Sequence, residues 1–197
     1  GGSSLSEQEV RNSIMVLLNP DLFRWMRTLA DSAEFMNTVS LTDKALSEQY
    51  DMDLVLRFIL FRKMPVKKIK SIKDMNEFLT EEMISSLEKD RIDIEEETMA
   101  FTKTFGIISS SLSSDAFKRF SPAKQKFEGG FLISGFELVA LGIGFNYEVL
   151  ETDSLNYQQI LSDLWQNESF TSNTGSGIRA NQRLPLTIPL GRKSFRP

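Results

Sequence analysis

Apolar positions along this chain recur mostly with the three-to-four-residue period of an α-helix, in runs separated by a few punctuating residues. Ser6 has a glutamate three positions later, so Ser6 and Glu9 form a capping box, and Val10, Ile14 and Leu17 then share one helical face. Asn19-Pro20 ends that helix and starts a second, with Asn19 as cap and Pro20 at the first helical position. The second stripe is Leu22, Phe23, Met26, Leu29 and Ala30; Trp25 falls off it and is expected to meet a partner or another segment.

A polar stretch from Leu41 to Asp51, with a cap at Thr42, leads into "MDLVLRFILFRKM" (Met52 to Met64). That segment is apolar almost all round, the pattern of a central helix, and Pro65 ends it. Met75, Phe78, Leu79, Met83 and Leu87 keep helical spacing, and Phe101, Phe105, Ile108 and Leu112 form an i, i+4, i+7, i+11 core series. Pro122 and Gly129-Gly130 punctuate a connection. An apolar helix follows, with Phe131, Leu132, Phe136, Leu138 and Leu141 as core. Asp153 to Asn167 is then amphipathic through Leu155, Leu161, Leu164 and Trp165, joined by Ile160 or Tyr157. From Glu168 the helical period is lost among Ser, Thr, Asn, Gly and Pro. The expected fold is all-α: an irregular bundle of six or seven helices over residues 5–168, followed by an irregular basic tail over 169–197. Gly1 to Ser4 read as a cloning scar.

Composition narrows the chemistry. With 41% apolar and 25% charged residues in 197, the chain can pack one core. A net charge of −4 argues against coating nucleic acid by bulk charge and leaves room for a local basic patch. There is no cysteine and no histidine, which excludes a disulfide framework, a Cys/His zinc site and any Cys–His or Ser–His catalytic pair. No metal site is expected: Glu95, Glu96 and Glu97 would project about 100° apart on a helix. The most apolar segment, Phe131 to Phe145, is shorter than the ~20 residues a bilayer needs and carries Glu137. A buried helix and a cytoplasmic protein are the expectation.

Two basic groups stand out on this acidic chain. "RKMPVKKIKSIK" holds Arg62, Lys63, Lys67, Lys68, Lys70 and Lys73 without an acid; the tail holds Arg179, Arg183, Arg192, Lys193 and Arg196. The first six, with Arg179 and Arg183, are the candidate DNA-phosphate contacts. The plain alternative is a solvated face, since charge runs usually are one. Arg57, alone in an apolar helix, needs an acid. A remote carboxylate is expected more than Asp53 one turn earlier, and the functional alternative is an arginine aimed at phosphate. Glu81 to Glu97 read as a solvated acidic face.

Four stretches, in order, resemble the C-terminal helical half of the GmrSD-type restriction proteins, a family that carries a ParB/sulfiredoxin-like α/β domain ahead of that half and is also catalogued as domain of unknown function 262. They are "LSEQEVRNSI" with "LFRWMRTLADSAEF", "DMDLVLRFILF", "IKDMNEFLTEEM" and "FEGGFLISGFELVALGIG", together covering about Leu5 to Phe145. The family's chemistry lies in a D-G-Q-Q-R-type motif of its N-terminal half, linked to nucleotide hydrolysis. That motif is absent here, and Asn181-Gln182-Arg183 is not a match. The resemblance therefore implies no catalytic residue and no cofactor on this chain, with nucleotide and divalent metal belonging to the missing half. It implies a bacterial anti-phage restriction role in which this chain is an accessory domain. Glu9, Arg11, Asn12 and Arg57 are then the expected contacts with its own N-terminal domain or a partner subunit, and DNA is a further expected partner. The alternative is a free-standing protein-interaction module using Trp25 and the acidic face. An enzyme working through carboxylates alone has no paired-acid constellation behind it.

Overall fold

The computed structural model describes residues 4–175 and 177–197; Gly1 to Ser3 of the expected scar, and Ser176 of the expected tail, lie outside the described residues. The chain is mainly helical. The elements in order are α1 (Glu7–Leu18), α2 (Pro20–Ala30), α3 (Ala33–Val39), α4 (Asp43–Ser47), α5 (Tyr50–Phe61), α6 (Val66–Lys70), α7 (Met75–Glu88), α8 (Ile94–Ser111), β1 (Arg119–Ser121), β2 (Lys126–Glu128), α9 (Ile133–Phe145), α10 (Tyr157–Gln166), α11 (Glu168–Thr171) and α12 (Ala180–Ser194). That is twelve α-helices among the described residues where six or seven were expected. Most of the excess is short: α3, α4, α6 and α11 are single turns or little more, below the length at which periodicity is visible.

The caps follow the sequence. Ser6 and Glu9 close the capping box in both directions, at 3.2 and 2.6 Å. Asn19, Thr42, Asp74, Asp93 and Asn156 each accept a backbone N–H at the start of α2, α4, α7, α8 and α10.

A phenylalanine cluster forms the centre. Phe101 and Phe105 of α8 lie 4.5 Å apart and pack on Phe35 of α3, Phe58 of α5 and Phe136 of α9. Helix α9 is buried all round from Ser134 to Gly144, as its sequence demands. The connection before it holds a small antiparallel hairpin, β1 with β2, in which Phe120 faces Phe127. No helix among the described residues is long and apolar enough to cross a membrane.

The expected irregular tail is the largest correction. Residues 180–194 form α12, which makes the most extensive packing of any helix pair, against α9. Pro185 and Pro189 stand inside this helix and hide it from a sequence reading, because each removes an intrahelical N–H. Tertiary contacts compensate: Leu184, Thr187, Ile188 and Gly191 are buried. Gly142 and Gly191 let the two backbones meet. A β-carbon built on Gly191 would lie 2.1 Å from the Leu138 carbonyl oxygen, and one on Gly142 would lie 2.6 Å from the Gly191 backbone.

Candidate nucleic-acid interface

Several residues expected at the surface belong instead to buried ion pairs. Arg62 is 1% exposed. It sits at the end of α5, whose next residues turn it under α8. There it donates Nε–H to Glu97 at 2.9 Å and Nη2–H to Glu96 at 2.9 Å, with its guanidinium 5.2 Å over the Tyr147 ring. These carboxylates hold the Arg62 cation against a desolvation that works the other way, and its pKa rises. Lys63 also binds Glu96, and the two cations lower the Glu96 pKa, the Lys63 hydrogen bond first. Glu97 is thus buried, and Glu82 and Glu96 are half-buried in ion pairs, a correction to the solvated acidic face; Glu81, Glu88 and Glu95 are exposed.

Arg183 is the second correction. It makes a two-pronged pair with Glu137 of α9, both bonds 2.9 Å, and Thr187 donates to the same carboxylate at 3.0 Å. The one acid in the most apolar helix therefore exists to hold α12. Neither Arg62 nor Arg183 can meet a phosphate without giving up a buried carboxylate.

The expected interdomain set also turns inward. Arg11 and Asn12 are buried, Gln8 with them, on the inner face of α1. Arg11 donates to Gln8 at 2.7 Å, Gln8 donates to Asn12 at 2.8 Å, and Arg11 Nη2 stands 3.9 Å from Asp53 of α5. Arg57 uses the same Asp53, at 2.8 and 3.3 Å; its partner is the neighbour at i−4, against the expectation of a remote acid. Burial opposes its charge, but Asp53 outweighs burial and raises the Arg57 pKa. One carboxylate serves two arginines here, and Arg11 Nη1 has no hydrogen-bond partner among the described residues. The Arg11 pKa falls accordingly, from desolvation first. Glu9 stays with the capping box. So the sequence-predicted Arg11, Asn12 and Arg57 do converge, but inside the chain. Trp25 likewise turns to another segment, its indole N–H donating to Thr98 of α8 at 2.8 Å.

What remains at the surface is a smaller, sharper basic group. In α6 Ile69 is buried, while Lys67 and Lys70 point to solvent, and Lys73 follows just beyond the helix. Lys68 is bound to Glu82 at 2.6 Å. The tail's contribution comes from the far end of α12, which packs on α6. Arg192, which the sequence marks only as one of the tail cations, makes this join. It donates to the carbonyls of Phe61, Arg62 and Met64 at 3.0, 3.2 and 2.8 Å, satisfying the C-terminus of α5. Lys193 and Arg196 flank it and are exposed. Lys67, Lys70, Lys73, Lys193 and Arg196 form no ion pair with any described residue. Arg179 is exposed at the N-cap of α12, ~20 Å of helix away from this end.

Among the described residues no group of Asp or Glu could hold a metal ion. A cavity of about 800 Å³ lies elsewhere, between the β1–β2 hairpin and α10–α11, beside Arg119 and Trp165. Arg11, Arg57, Arg62 and Arg183 are thus spent inside the bundle, while Lys67, Lys70 and Lys73 at α6 and Lys193 and Arg196 at the end of α12 are exposed. No protein-family model, curated protein or solved structure matches this chain.

Proposed function

We propose that this chain is the helical accessory domain of a GmrSD-like bacterial anti-phage DNA restriction protein, supporting a nucleotide-dependent catalytic half and contacting DNA through its cationic end. The observation that carries the DNA contact is the joining of Lys67, Lys70 and Lys73 with Lys193 and Arg196 by the packing of α12 on α6. Cations that gain a carboxylate partner on folding are structural; these five have none and remain available for phosphate. The ordered likeness of four stretches supports the family assignment. Catalysis is not assigned to this chain, because the family's motif is not in it. Nucleotide and metal belong, on this reading, to the other half.

The test is binding of fluorescent duplex DNA at low salt by the purified chain. The reading expects binding that Lys67→Glu with Lys70→Glu weakens markedly and makes less dependent on salt. DNA cleavage or nucleotide hydrolysis by the chain alone would overturn the accessory role. A second reading, a protein-interaction module without a nucleic-acid role, is favoured by a different observation: Val10 and Leu17 of α1 are exposed. Absence of DNA binding even at low salt would select it.

A further inference from the structure

Among the arginines that are not fully exposed, Arg11, Arg27, Arg57, Arg62 and Arg183 each lie within ion-pair reach of a carboxylate. Arg192 does not. It is half-buried near the end of α12, and its pKa falls through burial alone, with no acid to hold it up. Its Nη2 is fixed by the three carbonyls that end α5, which supply dipoles and no counter-charge. The guanidinium stands 4.5 Å from the centre of the Phe145 ring. Phe145 closes α9 and is still 45% exposed, so the guanidinium leaves much of it open.

The surrounding charge favours an anion. Lys193 follows Arg192 in the last turn of α12 and Arg196 lies just beyond; both are exposed. Glu96 and Glu97, at the start of α8, are taken up by Arg62 and Lys63. Glu148, the first exposed acid beyond Phe145, stands against three cations. A single exposed phenylalanine is ordinary. One held beside an arginine without a counter-charge offers the two things that grip a single strand, a cation for phosphate and an aromatic face for a base. Within a duplex the bases stack on one another and are closed to such a ring.

We propose that Phe145 and Arg192 form a site for one unpaired nucleotide of DNA, its base against the ring and its phosphate at the guanidinium. The inference rests on the DNA reading and names the form of DNA held. Its test is fluorescence anisotropy of the intact chain with three probes: an oligothymidylate of about twelve nucleotides, a strand of the same length without bases, and duplex DNA. The oligothymidylate should bind about tenfold or more tighter than the abasic strand, which has the same phosphates. Phe145→Leu should erase that difference and Phe145→Trp should keep it, while neither changes the salt slope. Arg192→Gln should weaken binding of both strands and flatten the slope by about 0.7. Both Phe145 variants keep an apolar side chain at an exposed position and should melt near the parent. The comparison of the two strands by the parent needs no variant at all. Equal binding of the two strands, or a difference that survives Phe145→Leu, overturns the site, and duplex binding then leaves the DNA reading standing. If neither strand nor duplex binds at low salt, both fall.

Discussion

Adding one methyl group at Gly191 should pry α12 from α9. Its β-carbon would stand 2.1 Å from the Leu138 carbonyl oxygen and 2.9 Å from the carbonyl carbon. Both are backbone atoms of a buried helix, so no side chain can swing away. Reaching ordinary contact requires the helices to part by roughly 1.3 Å. Overpacking of this kind costs about 1–3 kcal/mol. The separation also stretches the Glu137–Arg183 and Asn146–Arg192 hydrogen bonds, now 2.9 Å each, at about 1 kcal/mol apiece. Gly191→Ala should therefore lose about 3–5 kcal/mol in a denaturant titration, or about 10–15 °C in Tm. Gly106→Ala is the matched control. It sits within α8 with nothing near its would-be β-carbon, and it should gain about 0.5–1 kcal/mol through helix propensity. If Gly191→Ala is as stable as the parent, α12 does not lie on α9, and the reasoning that joins the tail to α6 fails with it.

Three further outcomes follow from the buried charges and phenols. Glu137→Gln leaves Arg183 buried without its anion and should cost about 3–5 kcal/mol by chemical denaturation; a loss under about 1 kcal/mol would contradict the pair. At the Asp53 site the two sides should behave differently. Asp53→Asn strands two arginines and should cost about 3–5 kcal/mol. Arg11→Met removes the surplus cation and should cost no more than about 1 kcal/mol; a larger loss would show that Arg11 is fully satisfied. Tyr50 and Tyr157 are pushed up to about 12, chiefly by burial. A phenol raised in the folded state contributes stability that is intact below the unfolded value near 10 and is lost as pH rises toward 12. Tyrosinate absorbance should therefore lag its normal range and then rise together with unfolding; simple ionisation of all three tyrosines near pH 10 would refute their burial.

The sequence carried much of the helical frame, and the reasons are local. Ser6, Asn19 and Thr42 cap as written because capping needs only neighbours within a turn. The phenylalanine series of α8 faces the core because its period matches the helix. Three features were hidden. Helix α12 is concealed by Pro185 and Pro189, although Leu184, Ile188 and Gly191 keep helical spacing across them; its stability comes from Glu137 and the Gly142 contact, both some fifty residues away. The seating of α1 is concealed because periodicity locates an apolar stripe without saying which way it points. The contacts that decide it, with α2, α5 and α7, come from other helices. The candidate interface was half readable: Lys67, Lys70 and Lys73 stay at the surface. Arg62 and Arg183 do not, because their acids, Glu97 and Glu137, are distant in sequence. Charge runs show where cations are, not which of them are already spent.

The central claim is that α6 and the end of α12 form one phosphate-binding surface. The salt dependence of duplex DNA binding tests it most directly, because the slope of log affinity against log salt counts phosphates neutralised at about 0.9 each. If the five unpaired cations engage, the parent slope should be about −4.5. Lys67→Glu with Lys70→Glu, and separately Lys193→Glu with Arg196→Glu, should each flatten it by about two. The account is contradicted if the parent does not bind at low salt, or if the α12 pair changes nothing while the α6 pair does.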